Sequence, residues 1–238
     1  MFAACKNNNC SRLEELLQSL RNPNVKDESG AALLSHAAAT GDVKTMKLLL
    51  EAGADVDSQD KELATPLLHA VANPFRDPDE PARLLIEAGA NMNQAMTDGS
   101  TPLVVASKNG HVEVVRLLIE AGADMNQATA DGATPLSVAS EIGHVEVVRL
   151  LIEAGADMNQ AMTGGATPLS IASLGADMNE ATTNGKTPLL VASWNGYVEV
   201  VRLLIEAGAD MHQATTDGAT PLCVASESGH VEVVHRAC

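Results

Sequence analysis

One tripeptide, Thr-Pro-Leu, recurs along the chain at a nearly fixed spacing. Its six copies begin at Thr65, Thr101, Thr134, Thr167, Thr187 and Thr220. The successive steps are 36, 33, 33, 20 and 33 residues. A period of this length indicates repeats that stack on their neighbours, because one repeat is too small to bury its own apolar face. The period overrides the expectation of one or two globular domains that a chain of 238 residues would otherwise raise.

The repeat that contains residues 101–126 shows what one period holds. Thr101 can cap a helix with its hydroxyl, and Pro102 suits the first helical position. We expect a short apolar helix from there to about residue 107, ended by Asn109-Gly110 because glycine tolerates the left-handed conformation. A second helix is predicted over residues 112–121, with charged residues on one stripe and valine and leucine on the opposite face.

A 33-residue period of two helices and a turn, opened by Thr-Pro-Leu, resembles the ankyrin repeat. The resemblance covers nearly the whole chain. It implies an all-α ankyrin-repeat solenoid, built from helix-turn-helix repeats with protruding β-turn fingers. It also implies that finger tips and the exposed ends of the inner helices, on the concave face, bind a partner.

The repeats are not all regular, and this divides the chain into four segments. Residues 1–27 form a degenerate N-terminal repeat, residues 28–165 a regular array, residues 166–182 a shortened sixth repeat, and residues 183–238 C-terminal repeats of which the last is truncated. After Ser173 one outer helix and its turn are missing. Leu174 alone cannot span the return of an inner helix that is about 12 Å long at roughly 1.5 Å per residue. We predict a break in the stacking there; the alternative is that the helix from Pro168 shifts outward and keeps the stack continuous.

Charge and cysteine content restrict the partners and the compartment. A net charge of −16 repels phosphate backbones and anionic lipids, so we exclude nucleic acid and membrane surfaces, and no apolar run is long enough for membrane insertion. A basic protein partner is compatible with this charge; the alternative is that the acidity only solubilises the outer face. Four scattered cysteines make no disulfide framework, and no signal segment opens the chain, so we expect a reducing, cytoplasmic location.

The sequence contains no constellation that supports catalysis, a cofactor or a metal. His-x-Glu occurs at His111, His144 and His230, but it lacks the Pro-Cys-x-x-Cys partner of zinc deaminases and recurs with the repeat. The HExxH, P-loop and dinucleotide patterns are absent. Carboxylates between Asp55 and Glu62 depart from the calcium-loop pattern, and we interpret them as solvated finger-tip charges. We therefore predict no enzymatic activity, no cofactor and no metal site.

The surface implied by the resemblance falls where the near-identical repeats differ. Residues 112–127 are identical to residues 145–160, whereas the finger tips and inner-helix ends vary. A binding face would show this pattern, and free drift at exposed sites would show it too. The predicted partner-binding residues are Thr97, Asp98, Ser100, Lys108, Asn109, Asp131, Glu141, Ile142, Asn184, Lys186, Trp194, Asn195 and Tyr197.

Trp194 is the sharpest of these candidates, because it is the only tryptophan and its register is polar or charged in the other complete regular repeats. Tyr197 follows three residues later, in place of the usual turn histidine. Tryptophan and tyrosine are enriched among binding hot spots. The alternative is that Trp194 covers a gap left by the shortened sixth repeat.

Two functional hypotheses follow. The first is a non-enzymatic protein–protein interaction module or scaffold, whose protein partner the sequence does not identify. The second is the regulatory or targeting portion of a larger catalytic or channel protein, which the abrupt end of the eighth repeat at Cys238 favours. That end would leave Val224 and residues 231–234 as an uncapped apolar surface, which predicts self-association; the alternative is that the end frays.

Overall fold

The structure is a computed structural model, and it describes residues 22–73, 77–160 and 185–237. Within these ranges the chain forms twelve α-helices and, besides them, one isolated β-bridge between Lys26 and Ala32. The predicted all-α class is confirmed. Most of the degenerate repeat of residues 1–27 and the whole shortened repeat of residues 166–182 lie outside the described residues.

The helices come in pairs, one pair to a repeat; we term the first helix of each pair inner and the second outer. The pairs are α1 (Leu33–Thr40) and α2 (Val43–Glu51), α3 (Pro66–Val71) and α4 (Asp79–Glu87), α5 (Pro102–Asn109) and α6 (Val112–Glu120), α7 (Pro135–Ile142) and α8 (Val145–Glu153), α9 (Pro188–Asn195) and α10 (Val198–Glu206), and α11 (Pro221–Glu227) and α12 (Val231–Ala237).

Threonine and glycine fix the ends of most inner helices. In α5 the hydroxyl of Thr101 accepts a hydrogen bond from the backbone N–H of Val104 at 3.3 Å, and Pro102 occupies the first turn. Gly110 ends this helix in the left-handed conformation, with φ of 72°. Helix α1 lacks the threonine, and Ala32 in its place makes no side-chain cap. The sequence signals for helix start and stop are therefore confirmed in α5.

The outer helices bury one apolar stripe, as predicted for residues 112–121. In α6 the side chains of Val114, Val115 and Leu118 are 0% exposed, whereas Arg116 and Glu120 are exposed. Burying one such apolar side chain stabilises a fold by about 1.5–3 kcal/mol. Stability in this chain thus comes from thin aliphatic layers between helices rather than from an aromatic core.

The chain divides into two compact units, Met1–Asp124 and Met125–Cys238. In the first unit α1 packs on α3 and α3 on α5, while α2 packs on α4 and α4 on α6. In the second unit α7 packs on α9 and α9 on α11, while α8 packs on α10 and α10 on α12. Inner helices thus stack on inner helices and outer on outer, which is the nearest-neighbour packing of a solenoid.

The break predicted at the shortened sixth repeat stays a prediction, because residues 161–184 lie outside the described residues. The repeats on either side of them nevertheless contact each other, since α9 of the seventh repeat packs on α7 of the fifth. The backbone N–H of Asp210 donates to Asn159 Oδ1 at 2.9 Å. The same bond links Asp157 N–H to Asn126 Oδ1 at 2.8 Å between the fourth and fifth repeats.

Candidate functional site

The fingers are turns that precede the inner helices, and neighbouring fingers are hydrogen-bonded to each other. The backbone N–H of Thr97 donates to the carbonyl oxygen of Glu62 in the preceding finger at 3.0 Å. Asp98 Oδ1 accepts a hydrogen bond from the N–H of Ser100 at 2.8 Å and so fixes its own turn. Thr97 and Asp98 are exposed and Ser100 is half-buried. These predicted contact residues therefore lie on an ordered surface.

Lys108 and Asn109 occupy the last turn of α5, but their surroundings differ. Lys108 is exposed. The Asn109 side chain is half-buried, and its Nδ2 donates to the carbonyl oxygen of Val71, at the end of α3, at 2.9 Å. The Asn109 amide thus links two repeats, which gives this residue a structural role that the sequence did not predict.

Asp131, Glu141 and Ile142 are all exposed in the fifth repeat. Asp131 belongs to the finger, where its Oδ1 accepts a hydrogen bond from the hydroxyl of Thr129. Ile142 is 41% exposed and stands in the register of Asn109, without an amide to offer its neighbour. The end of α7 therefore presents a carboxylate and an apolar side chain side by side.

Around Trp194 the structure brings together residues that are far apart in the sequence. The Trp194 side chain is 51% exposed in the last turn of α9, and Lys186 Nζ lies 5.1 Å from the centroid of its ring. An open groove of about 130 Å³ is lined by Glu141, Lys186, Val191, Trp194 and Asn195. We term it the Trp194 groove. Of the candidates in the seventh repeat, Asn184 lies outside the described residues.

Two hydrogen bonds tie the backbone beneath the Trp194 groove to the flanking repeats. Asn195 Nδ2 donates to the carbonyl oxygen of Glu141 at 3.0 Å, as Asn109 does to Val71. His230 Nε2 donates to the carbonyl oxygen of Trp194 at 2.9 Å. The end of α9 beneath the groove is therefore hydrogen-bonded to both the fifth and the eighth repeat.

Tyr197 packs inside the array rather than standing free on its surface. A Cβ placed on Gly143, which has φ of 89°, would lie 3.0 Å from Cε1 and Cζ of the Tyr197 ring. Tyr197 itself is half-buried. Its ring thus covers the glycine that ends α7, and a role in partner binding stays a prediction.

Two Asp–His pairs in the first compact unit were missed by the sequence reasoning. His36 Nε2 lies 2.7 Å from Asp27 Oδ2, and His69 Nε2 lies 3.0 Å from Asp60 Oδ2. Both pairs span nine positions, and this shared spacing is the signal that could have revealed them. Hydrogen bonds from Ser29 and then from His36 hold the pKa of Asp27 far below its ordinary value.

The interpretation of Asp60 as a solvated finger-tip charge is wrong. Its side chain is only 10% exposed, and Asp60 Oδ1 accepts hydrogen bonds from the N–H groups of Glu62 and Ala64, both at 2.9 Å. The carboxylate therefore accepts hydrogen bonds from the backbone of its own finger and stabilises the turn. Its partner His69 belongs to helix α3, so the pair also anchors the finger to its own inner helix.

Leu63 is an unusual residue at the tip of the third finger. Its φ is 62°, the one non-glycine residue with positive φ among the described residues, and its side chain is 41% exposed. The same register in the other described fingers holds Gly30, Gly99, Gly132, Gly185 and Gly218. A left-handed conformation costs a non-glycine residue about 1–2 kcal/mol. Leu63 therefore places an apolar side chain on the finger surface at a conformational cost.

The last repeat exposes part of the apolar set predicted for it. Val231 is 61% exposed, whereas Val224 and Val233 are buried, so the prediction is wrong for these two valines. Leu222, which the sequence did not single out, is 36% exposed. Self-association through this surface stays a prediction.

Among the described residues, no group of three or more His, Cys, Asp or Glu side chains is arranged to hold a metal ion. In the same ranges, every helix is too short or too polar to cross a lipid bilayer.

Comparison with known proteins gives a consistent family assignment. The family model for ankyrin repeats, three copies, matches residues 1–96, 75–162 and 165–236. The chain is also similar to the crystal structure of an ankyrin-repeat domain from Acinetobacter baumannii AYE, with 32% sequence identity and a TM-score of 0.72. That match covers 86% of this chain and 95% of the bacterial domain. No curated protein matches the chain.

Proposed function

The chain belongs to the ankyrin-repeat family, and on that premise we propose that it is a non-enzymatic interaction module that binds a protein partner through its finger tips and concave inner-helix face. Ankyrin repeats generally mediate protein–protein interaction, and their fold is typically a non-catalytic module. The cytoplasm is the compartment we propose, on the basis of the few scattered cysteines.

The observation that carries the proposal is where the sequence of the repeats varies. Helices α6, α8 and α10 have the same nine residues, VEVVRLLIE. At one register in the last turn of the inner helices, the exposed residues are instead Lys108, Glu141, Trp194 and Glu227. A surface that must fit a specific partner varies in this way, whereas the invariant outer helices carry only packing and solvation.

Rigidity of the inner-helix ends supports the same proposal. Asn109 bonds to the end of α3 and Asn195 to the end of α7, and the carbonyl oxygen of Trp194 accepts a bond from His230 of the following repeat. A surface that is ordered before binding loses less conformational entropy when a partner docks. The exposed side chains thus project from a backbone that is already ordered before a partner binds.

Site-specific photo-cross-linking tests this assignment with matched positions. A photoreactive residue is placed at Lys108 or Glu141 on the inner-helix register, and at Glu120 or Glu153 on the outer helices, all of which are exposed. In extract from the native source, we expect defined cross-linked products from the two inner positions and none from the two outer ones. Equal cross-linking at inner and outer positions, or none at the inner ones, would refute the proposed face.

A further inference from the structure

The Trp194 groove has features that define the chemistry of an occupant, and this inference rests on the function proposed above. A half-exposed indole is unusual on a register that is charged in the fourth, fifth and eighth repeats, and it offers a large flat surface for contact. Lys186 Nζ already lies 5.1 Å from the ring centroid, so the ring faces a cation within the chain itself. The exposed part of the indole is available to a second group.

One carboxylate and one cation line the groove. Glu141 is exposed on one wall, and Lys186 is the cation among the lining residues. The Thr215 hydroxyl and, less strongly, the charge of Lys186 lower the pKa of Asp217, so the charge of Lys186 is partly balanced by this neighbouring carboxylate. The charge of Lys186 thus lies beside the indole ring and Asp217, whereas the exposed Glu141 carboxylate can pair with a cation of a partner.

Arg149 on α8 and Arg202 on α10 do not neutralise the groove. Arg149 pairs with Glu146 on α8 at 3.4 Å. Arg202 pairs with Glu199 and with Glu206 on α10. Both arginines thus pair with glutamates of their own helices. The Glu141 carboxylate on the inner-helix register can therefore pair with a cation of the partner.

We propose that the Trp194 groove binds an arginine-bearing basic segment of a partner protein, with the guanidinium stacked on the Trp194 indole and paired with the Glu141 carboxylate. A guanidinium suits both contacts, because it is planar, weakly hydrated and able to donate two parallel hydrogen bonds to a carboxylate. Lys186 already lies over the ring, so an incoming cation competes with it for the indole.

The single tryptophan gives a direct test, because fluorescence excited at wavelengths that the one tyrosine does not absorb reports on Trp194 alone. The intact chain is titrated with a short peptide of alternating arginine and glycine, which has no aromatic residue, and in parallel with the glutamate–glycine and lysine–glycine peptides. We expect the arginine peptide to change the fluorescence and to bind more tightly than the lysine peptide. The glutamate peptide is expected to leave the fluorescence unchanged.

Two variants test the two charges in the groove and a third is a control on α8, and all three keep Trp194 as the probe. Glu141→Gln is expected to raise the Kd of the arginine peptide about threefold, and Lys186→Met to lower it by about the same factor. Glu153→Gln removes an exposed carboxylate from α8 and serves as the matched control, with an unchanged Kd.

Distinct outcomes overturn the inference. If the tryptophan fluorescence is unchanged at saturating arginine peptide, the peptide does not contact the indole. If Glu141→Gln and Glu153→Gln raise the Kd equally, the attraction is non-specific. Binding of the glutamate peptide, weakened by Lys186→Met, assigns the groove to an acidic partner instead. A protein cross-linked at Glu141 through a segment without arginine would refute this inference and leave the proposed function standing, whereas no cross-link at either inner position refutes the function itself.

Discussion

The side-chain oxygen of Asn159 accepts a hydrogen bond from the backbone N–H of Asp210 at 2.9 Å, across 51 positions of the chain. The equivalent bond from Asp157 to Asn126 measures 2.8 Å and spans 31 positions. The bond is therefore preserved although the chain between its partners is longer by 51 − 31 = 20 residues. The hydrogen bond between the fifth and seventh repeats thus has the same geometry as the bond between the fourth and fifth.

Removing this bond tests how much the junction depends on it. Asn159→Ala deletes the acceptor, and we expect the free energy of unfolding to fall by about 1 kcal/mol in urea titration. Asn159→Asp keeps an acceptor oxygen, and we expect nearly wild-type stability, because Asp57 Oδ1 accepts the equivalent bond from Asn91 N–H at 2.8 Å. Equal losses in the two variants would show that the acceptor is not what stabilises the junction.

Deleting residues 163–182 is a second test of the junction. The deletion joins Met162 to Thr183, so the sequence reads QAMTNGKTPLL where residues 94–104 read QAMTDGSTPLV, and the 33-residue spacing returns. Because α7 and α9 already pack on each other, we expect one unfolding transition and a melting temperature at or above that of the full chain. If the predicted break separates two arrays, the full chain melts in two transitions. A lower melting temperature in the deletion variant would contradict direct stacking.

The local parts of this fold are predictable because their causes are local. Thr101-Pro102 and Gly110 mark the ends of α5 through one hydroxyl, one ring and one positive φ. The inter-repeat bonds were not predicted, because Asn109 and Val71 are 38 positions apart and only the stacked repeats bring them together. The Trp194 groove is a mixed case: the sequence singles out the indole, whereas its contact with Lys186 depends on the fold.

Tyr197 and Gly143 offer a matched pair of glycine substitutions. Gly143→Ala and Gly155→Ala both place a side chain at positive φ, 89° and 91°, but only at Gly143 does the new Cβ meet a neighbour, the Tyr197 ring at 3.0 Å. We expect Gly143→Ala to lower the free energy of unfolding by about 1 kcal/mol more than Gly155→Ala. Tyr197→Ala should remove this excess in a double-mutant cycle. Equal losses of unfolding free energy at the two glycines would show that the Tyr197 ring does not clash with a side chain at position 143.

The Asp27–His36 pair predicts a pH dependence of stability. Hydrogen bonds from Ser29 and His36 lower the pKa of Asp27 in the folded chain, so its contribution is present above the pKa of the unfolded chain and is lost as the pH falls. We expect Asp27→Asn to lower the melting temperature at neutral pH and the difference from wild type to shrink below about pH 4. Glu28→Gln, at the exposed neighbouring position, is the control. A difference that does not change with pH would assign the loss to the altered turn rather than to the charge.

The affinity of two multiple variants for the protein captured by cross-linking tests the central claim most directly. One variant carries Lys108→Ala, Glu141→Ala and Trp194→Ala on the inner-helix register; the other carries Arg116→Ala and Glu153→Ala on the outer helices, and both leave the net charge unchanged. If the inner-helix face binds the partner, the first variant loses about tenfold or more in affinity and the second binds like wild type. Equal affinities for the two variants, with both folded, would contradict this assignment.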